Sequence, residues 1–125
     1  MRAVLLVFAV LFATPAMAAP ESKAAAHYKQ GKAFLAAKQY DQAIVEFEAA
    51  YAIDKVASHL FNIATAYDAK AEYDKAISYY QRYLDAEPTS KLAVQVRTLV
   101  VDATRKRDDA AAKKREEAMR RMMMD

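Results

Sequence analysis

The sequence predicts an all-α protein: two stacked helical hairpins forming a right-handed α-solenoid, closed by a long C-terminal capping helix. Three observations predict it. Aligned with itself, the chain shows a 33-residue period, the mark of one supersecondary unit copied and stacked. Within each period the apolar residues step by threes and fours, which places them on one helical face. The composition is Ala-rich, with one glycine and three prolines in 125 residues, and favours helix over sheet.

The elements follow in chain order. Met1-Arg2 begins the chain, an apolar run covers 3–13, and Ala16-Met17-Ala18 supplies a small-x-small site. This predicts a cleaved signal peptide over 1–18 and a periplasmic or secreted protein. The run is too short for a membrane-spanning helix, which needs roughly twenty apolar residues, and Pro15 interrupts it. With no cysteine in the chain, disulfides, thiol redox work and lipidation of a new N-terminal cysteine are excluded. An exported domain of this kind must be held together by packing.

The domain predicted over 19–104 begins with a helix from Ala24 to Ala37 that presents His27, Gly31, Phe34 and Leu35. Asp41 is expected to accept hydrogen bonds from the free amides of the second helix, whose stripe is Ala43, Ile44, Phe47, Ala50 and Tyr51. These close repeat one, about 24–56. Repeat two, about 57–88, pairs a helix from Ala57 to Lys70 with one that follows Asp74 and carries Ala76, Ile77, Tyr80, Tyr83 and Leu84. Pro88 ends it. The capping helix is expected from about residue 90, with Ser90 as its cap and Leu92, Val96, Leu99, Val100 and Ala103 as its apolar face. A terminal helix of this kind covers the open end of a repeat stack.

The residues that recur are specific. Ala33-Phe34 returns as Ala66-Tyr67, Tyr40-Asp41 as Tyr73-Asp74, Ala43-Ile44 as Ala76-Ile77, and Phe47 as Tyr80. At these positions the chain resembles the tetratricopeptide repeat. Copy one reads His27, Gly31, Phe34, Ala43, Phe47, Ala50, with Lys55 where that family has proline; copy two reads Leu60, Ala64, Tyr67, Ala76, Tyr80, Tyr83, Pro88. The period is one residue under the family's usual 34, so one turn between repeats is short. Lys38 and Ala71 stand where glycine commonly ends the first helix. A left-handed residue without glycine costs roughly 1 kcal/mol.

The resemblance implies a groove lined by the first helix of each hairpin, where a partner segment lies. Its walls would be Tyr28, Lys32 and Leu35 from repeat one and Phe61, Asn62, Thr65 and Asp68 from repeat two, with Lys91 and Gln95 extending them. Some members clamp a peptide's terminal carboxylate with Lys and Asn. Asn62 and Lys91 fall at matching places, but Tyr28 and Lys32 occupy the others, so the full clamp is absent. A structural role for Asn62, a bond to a neighbouring helix, is the competing reading.

Catalytic chemistry is not legible. One glycine cannot build a phosphate loop, and the serines have no readable His/Asp arrangement. His27 and His59 lack a ligand cluster at metal spacing. No catalytic residue, metal or cofactor is expected, and the chain is not expected to be an enzyme.

The charge is uneven. Residues 19–104 carry ten Lys/Arg against eleven Asp/Glu, while the tail over 105–125 carries eight against five. The tail alternates its clusters, which suits either a solvated helix or a disordered segment. Its apolar residues are mainly alanines without sustained heptads, which counts against coiled-coil pairing there. Tyr79, beside Tyr80, is expected to be exposed on the outer side.

The resemblance, together with the signal-like segment, implies a protein–protein interaction scaffold or adaptor of the bacterial cell envelope. The alternatives are a self-associating structural protein and peripheral envelope-surface association through the basic tail. Protein partners of the envelope are expected and nucleic acid is not; membrane contact is at most peripheral, and a homo-oligomer is possible.

Overall fold

A computed structural model describes residues 19–125; the predicted signal segment lies outside them. Five helices follow one another: α1 (Lys23–Ala36), α2 (Tyr40–Asp54), α3 (Ala57–Ala69), α4 (Tyr73–Ala86) and α5 (Ala93–Met124). Each packs against the next in sequence. The result is two hairpins, α1–α2 and α3–α4, stacked on each other and closed by α5.

Two hydrophobic clusters hold the stack. Ala43, Ile44 and Phe47 of α2 meet Ile63 and Ala66 of α3, which joins the first hairpin to the second. Leu60 and Ala64 of α3, Ala76, Tyr80 and Tyr83 of α4, and Val96 of α5 form the other. Burying side chains such as Phe47 and Val96, each 0% exposed, contributes about 1.5–3 kcal/mol apiece. The small residues Ala43, Ala64 and Ala76 are fully buried, which lets the helices approach closely while the aromatics fill the remaining gaps.

The turns inside the two hairpins are copies of each other, one period apart. Lys38 and Ala71 both take positive φ, 58° and 60°. Around each, the same reverse-turn bonds form: Gln39 N donates to Phe34 O at 2.9 Å, and Glu72 N to Tyr67 O at 3.0 Å. This is a Schellman closure made without glycine. The expected non-ideal turns are therefore present, each with a left-handed residue that has a Cβ.

The turn between repeats explains the short period. α2 ends at Lys55 with φ 55°, and only Val56 separates it from α3. Asp54 Oδ1 accepts from Val56 N at 3.0 Å, which fixes the two-residue link. Proline, whose ring locks φ at a negative value, could not adopt the backbone of Lys55. The absence of the family's proline and the missing residue are thus one feature.

Several local expectations are corrected. Asp41 and Asp74 lie in the first turns of α2 and α4 and make no cap bond. Their carboxylates instead reach across helices, Asp41 to Lys70 and Asp74 to Arg107 at 3.4 Å. Ser90 does not cap α5, which has no side-chain cap; its hydroxyl bonds the Tyr83 hydroxyl at 2.9 Å. Tyr79 is half-buried, stacked on Tyr67 with ring centres 5.7 Å apart. Residues 105–124 continue α5 without a break, so cap and tail are one helix of about 48 Å at roughly 1.5 Å per residue.

Candidate functional site

The 33-residue period places equivalent residues of α1, α3 and α5 at the same angular position. Tyr28, Phe61 and Val94 correspond, as do Lys32, Thr65 and Thr98, and Leu35, Asp68 and Val101. These rows recur across the three helices, and six of the eight groove residues expected from the sequence fall in them.

Their environments differ with what lies behind them. Tyr28 is 37% exposed; its ring packs against His59, 5.7 Å between centres, and Phe47, at 6.2 Å. It therefore bridges the two repeats while keeping an edge open. Phe61 is more enclosed, with Tyr80 at 6.1 Å and Tyr83 at 6.0 Å, and belongs to the core as much as to the groove. Val94 has no following hairpin behind it and is 70% exposed. Lys32 is exposed and Leu35 half-buried.

The polar residues divide similarly. Thr65 donates its hydroxyl proton to Phe61 O at 2.9 Å, so it is occupied within its own helix. Asp68 accepts from Tyr80 Oη at 3.4 Å and from Lys106 Nζ at 3.2 Å, which ties α3 to α4 and α5. Asn62 is 6% exposed, yet among the described residues its side chain has no hydrogen-bond partner. The bond to a neighbouring helix considered above is not formed.

Lys91 falls outside these rows. It lies in the turn before α5, and the wall of α5 is made instead by Val94, Thr98 and Val101. The repeat period carries this signal: adding 33 to Phe61, Thr65 and Asp68 gives these three positions.

At the edge of the face the two histidines each meet one carboxylate. His27 Nδ1 lies 2.7 Å from Glu46 Oε2, and His59 Nε2 lies 3.0 Å from Asp54 Oδ1. A carboxylate only accepts, so both of these nitrogens carry the proton. The other ring nitrogen of His59, Nδ1, is buried without a partner among the described residues. The Val56 amide, with the His59 ring, holds the Asp54 carboxyl below its usual range. The hydrogen bonds from Lys70 to Asp41 and Glu72 raise its ammonium above its ordinary value. Among the described residues no group of three or more His, Asp or Glu is placed to hold a metal ion.

The arrangement offers chemistry for gripping a chain: an open aromatic edge at Tyr28, the aliphatic Val94 and Val101, an amide without an internal partner, and the exposed Lys32. The family model described as tetratricopeptide repeat matches residues 24–56 and 58–90, the two hairpins and together just over half of the chain. No curated protein matches it.

Proposed function

Because the chain belongs to the tetratricopeptide-repeat family, a family of protein-interaction scaffolds, we propose that it is a non-catalytic adaptor of the bacterial cell envelope. It holds an extended or helical segment of a partner protein against the face shared by α1, α3 and α5. The observation that carries this reading is Asn62. Its amide is nearly buried beside the face, and no side-chain bond within the described chain satisfies it. Unlike His59 Nδ1, its polar atoms are not sealed from the surface, so the amide bonds nothing within the described chain yet is within reach of a partner. A partner backbone laid along the face supplies both donor and acceptor. Tyr28 adds an aromatic edge of the kind that anchors interfaces.

The envelope location rests on the signal-like residues 1–18, and the absence of cysteine suits either an oxidising or a reducing compartment. N-terminal sequencing of the protein recovered from cells tests this; a start at Met1 overturns cleavage.

Photo-crosslinking tests the groove. Crosslinkers at Tyr28 and Val94 are expected to capture the same partner, while one at Val45, exposed on α2, captures none. Capture from Val45 alone would remove the proposal.

A further inference from the structure

The continuity of α5 exposes a pattern that is hidden when cap and tail are taken apart. From Val94 to Met122, residues that step alternately by four and three fall on one face, the spacing of a helix–helix seam. That face carries Val94, Val101, Met119 and Met122, which are 70%, 67%, 63% and 81% exposed. Thr98, Arg105, Asp108, Ala112 and Arg115 lie between them. It points away from α4, because Val96 and Ala103, buried against the body of the protein, and Arg107, paired with Asp74, sit about half a turn away. The large apolar residues of the seam are thus divided between the cap, with two valines, and the tail, with two methionines.

The charges along α5 are self-complementary when the helix is reversed. We propose that the protein pairs with a second copy of itself through an antiparallel contact between α5 helices, centred on Ala111 and Ala112. In that register Asp102 faces Arg120, Arg105 faces Glu116, Asp108 faces Arg115 and Asp109 faces Lys113, every pair in both directions. Val101 meets Met122 at each end. The seam is apolar at both ends and has Ala112 at its centre, and the charged residues it carries between them, Arg105, Asp108 and Arg115, each face an opposite charge of the second copy. A parallel pairing in register would set each cluster against its like. The present intrahelical pairs, Arg105 with Asp102 and Arg120 with Glu116, are exposed and contribute little, so they give way to the intermolecular ones without significant loss.

The second copy is the occupant the charges specify: the pattern is antisymmetric about one point of this chain. An anionic lipid surface would gain from the basic clusters but nothing from the intervening acidic ones. This pairing does not depend on a partner occupying the groove, although Val94 and Val101 belong to both surfaces.

Light scattering of the full chain over a concentration series is expected to show a dimer that dissociates in the micromolar range and is weakened by high salt. Two variants then test the register. Asp108→Arg/Asp109→Arg and Lys113→Glu/Arg115→Glu are each expected to weaken self-association at least tenfold with unchanged far-ultraviolet circular dichroism. Mixed in equal amounts they restore a dimer, because each reversed cluster meets the other. The chain contains no cysteine, so introduced thiols report direction. Val101→Cys is expected to crosslink to Met122→Cys and not to itself. A monomer at all concentrations, with or without binding to anionic vesicles, overturns the pairing; so does Val101→Cys linking to itself as readily as to Met122→Cys. Groove crosslinking from Tyr28 is independent of either result.

Discussion

Phe47 is seated against the backbone of Gly31. A Cβ placed on Gly31 would come within 2.7 Å of Phe47 Cε1 and 2.8 Å of Cδ1, in a ring that is 0% exposed. The single glycine of the chain therefore marks a point where α1 and α2 approach closely. Gly31→Ala gains helix propensity of about 1 kcal/mol but forces an overpacked ring, typically about 1–3 kcal/mol. A net loss of stability is expected by chemical denaturation, and Phe47→Leu in the same chain should relieve part of it. Equal stability of Gly31→Ala and the parent would show that the hairpin yields more readily than this contact implies.

The left-handed turns allow a gain. Ala71 holds φ 60° at an intrinsic cost of about 1–2 kcal/mol, partly offset by the restricted unfolded chain. Ala71→Gly is expected to raise the midpoint of thermal unfolding, and Lys38→Gly to do the same. A fall for both would mean that the turns are not held in this conformation in solution.

Asn62 separates folding from binding. Asn62→Leu removes a nearly buried amide that has no partner within the described chain, so the free protein should be as stable as before or more so. Partner capture from Tyr28 should fall by about tenfold, the equivalent of one lost hydrogen bond of about 1.4 kcal/mol. Loss of stability instead of binding would give Asn62 a purely structural role.

Tyr80 supplies a pH dependence. Burial pushes its phenol up to about 12 from an ordinary value of 10.0. An acid whose folded value is raised keeps its proton longer in the folded state. The fold thus has full stability from this group below pH 10, and loses it as the unfolded state ionises first between 10 and 12. The loss, once the pH passes the folded value, is on the order of 2–3 kcal/mol. Tyr80→Phe removes the ionisation, and its stability should be flatter with pH over this window.

The clasp at the tail is weak by comparison with the cap. Arg107→Ala breaks an exposed pair with Asp74, and a change under about 1 kcal/mol is expected. Val96→Ala empties a fully buried site between α4 and α5, and should cost about 2–3 kcal/mol by loss of transfer and packing energy. Paired denaturant curves give the comparison directly.

What is legible in the sequence is whatever the repeat imposes twice. Ala43 and Ala76, or Phe47 and Tyr80, announce each other across one period, and the glycine-free turns at Lys38 and Ala71 show as departures from a pattern. Illegible are the places where a side chain chooses between local and distant partners. Asp41 and Asp74 look like caps because capping is local, yet lysine and arginine from the following odd-numbered helix, or the turn just after it, reach them. Ser90 looks like a cap until Tyr83, a large residue in a small residue's place, brings its hydroxyl there. The clamp analogy points to Lys91, whereas the period itself points to Val94, Thr98 and Val101. Tyr79 looks external because Tyr80 is internal, but Tyr67 offers it a stacking surface.

One exit in the fold bears on assembly. Lys38 and Ala71 turn the chain back; Thr104, the next residue in that series, stays helical. The stack consequently has unlike ends, a hairpin face at one and a projecting rod at the other. Copies cannot add head to tail as further hairpins, since the rod emerges where the next seat would be. Growth of the stack by a further hairpin at that end is closed off at a single backbone conformation.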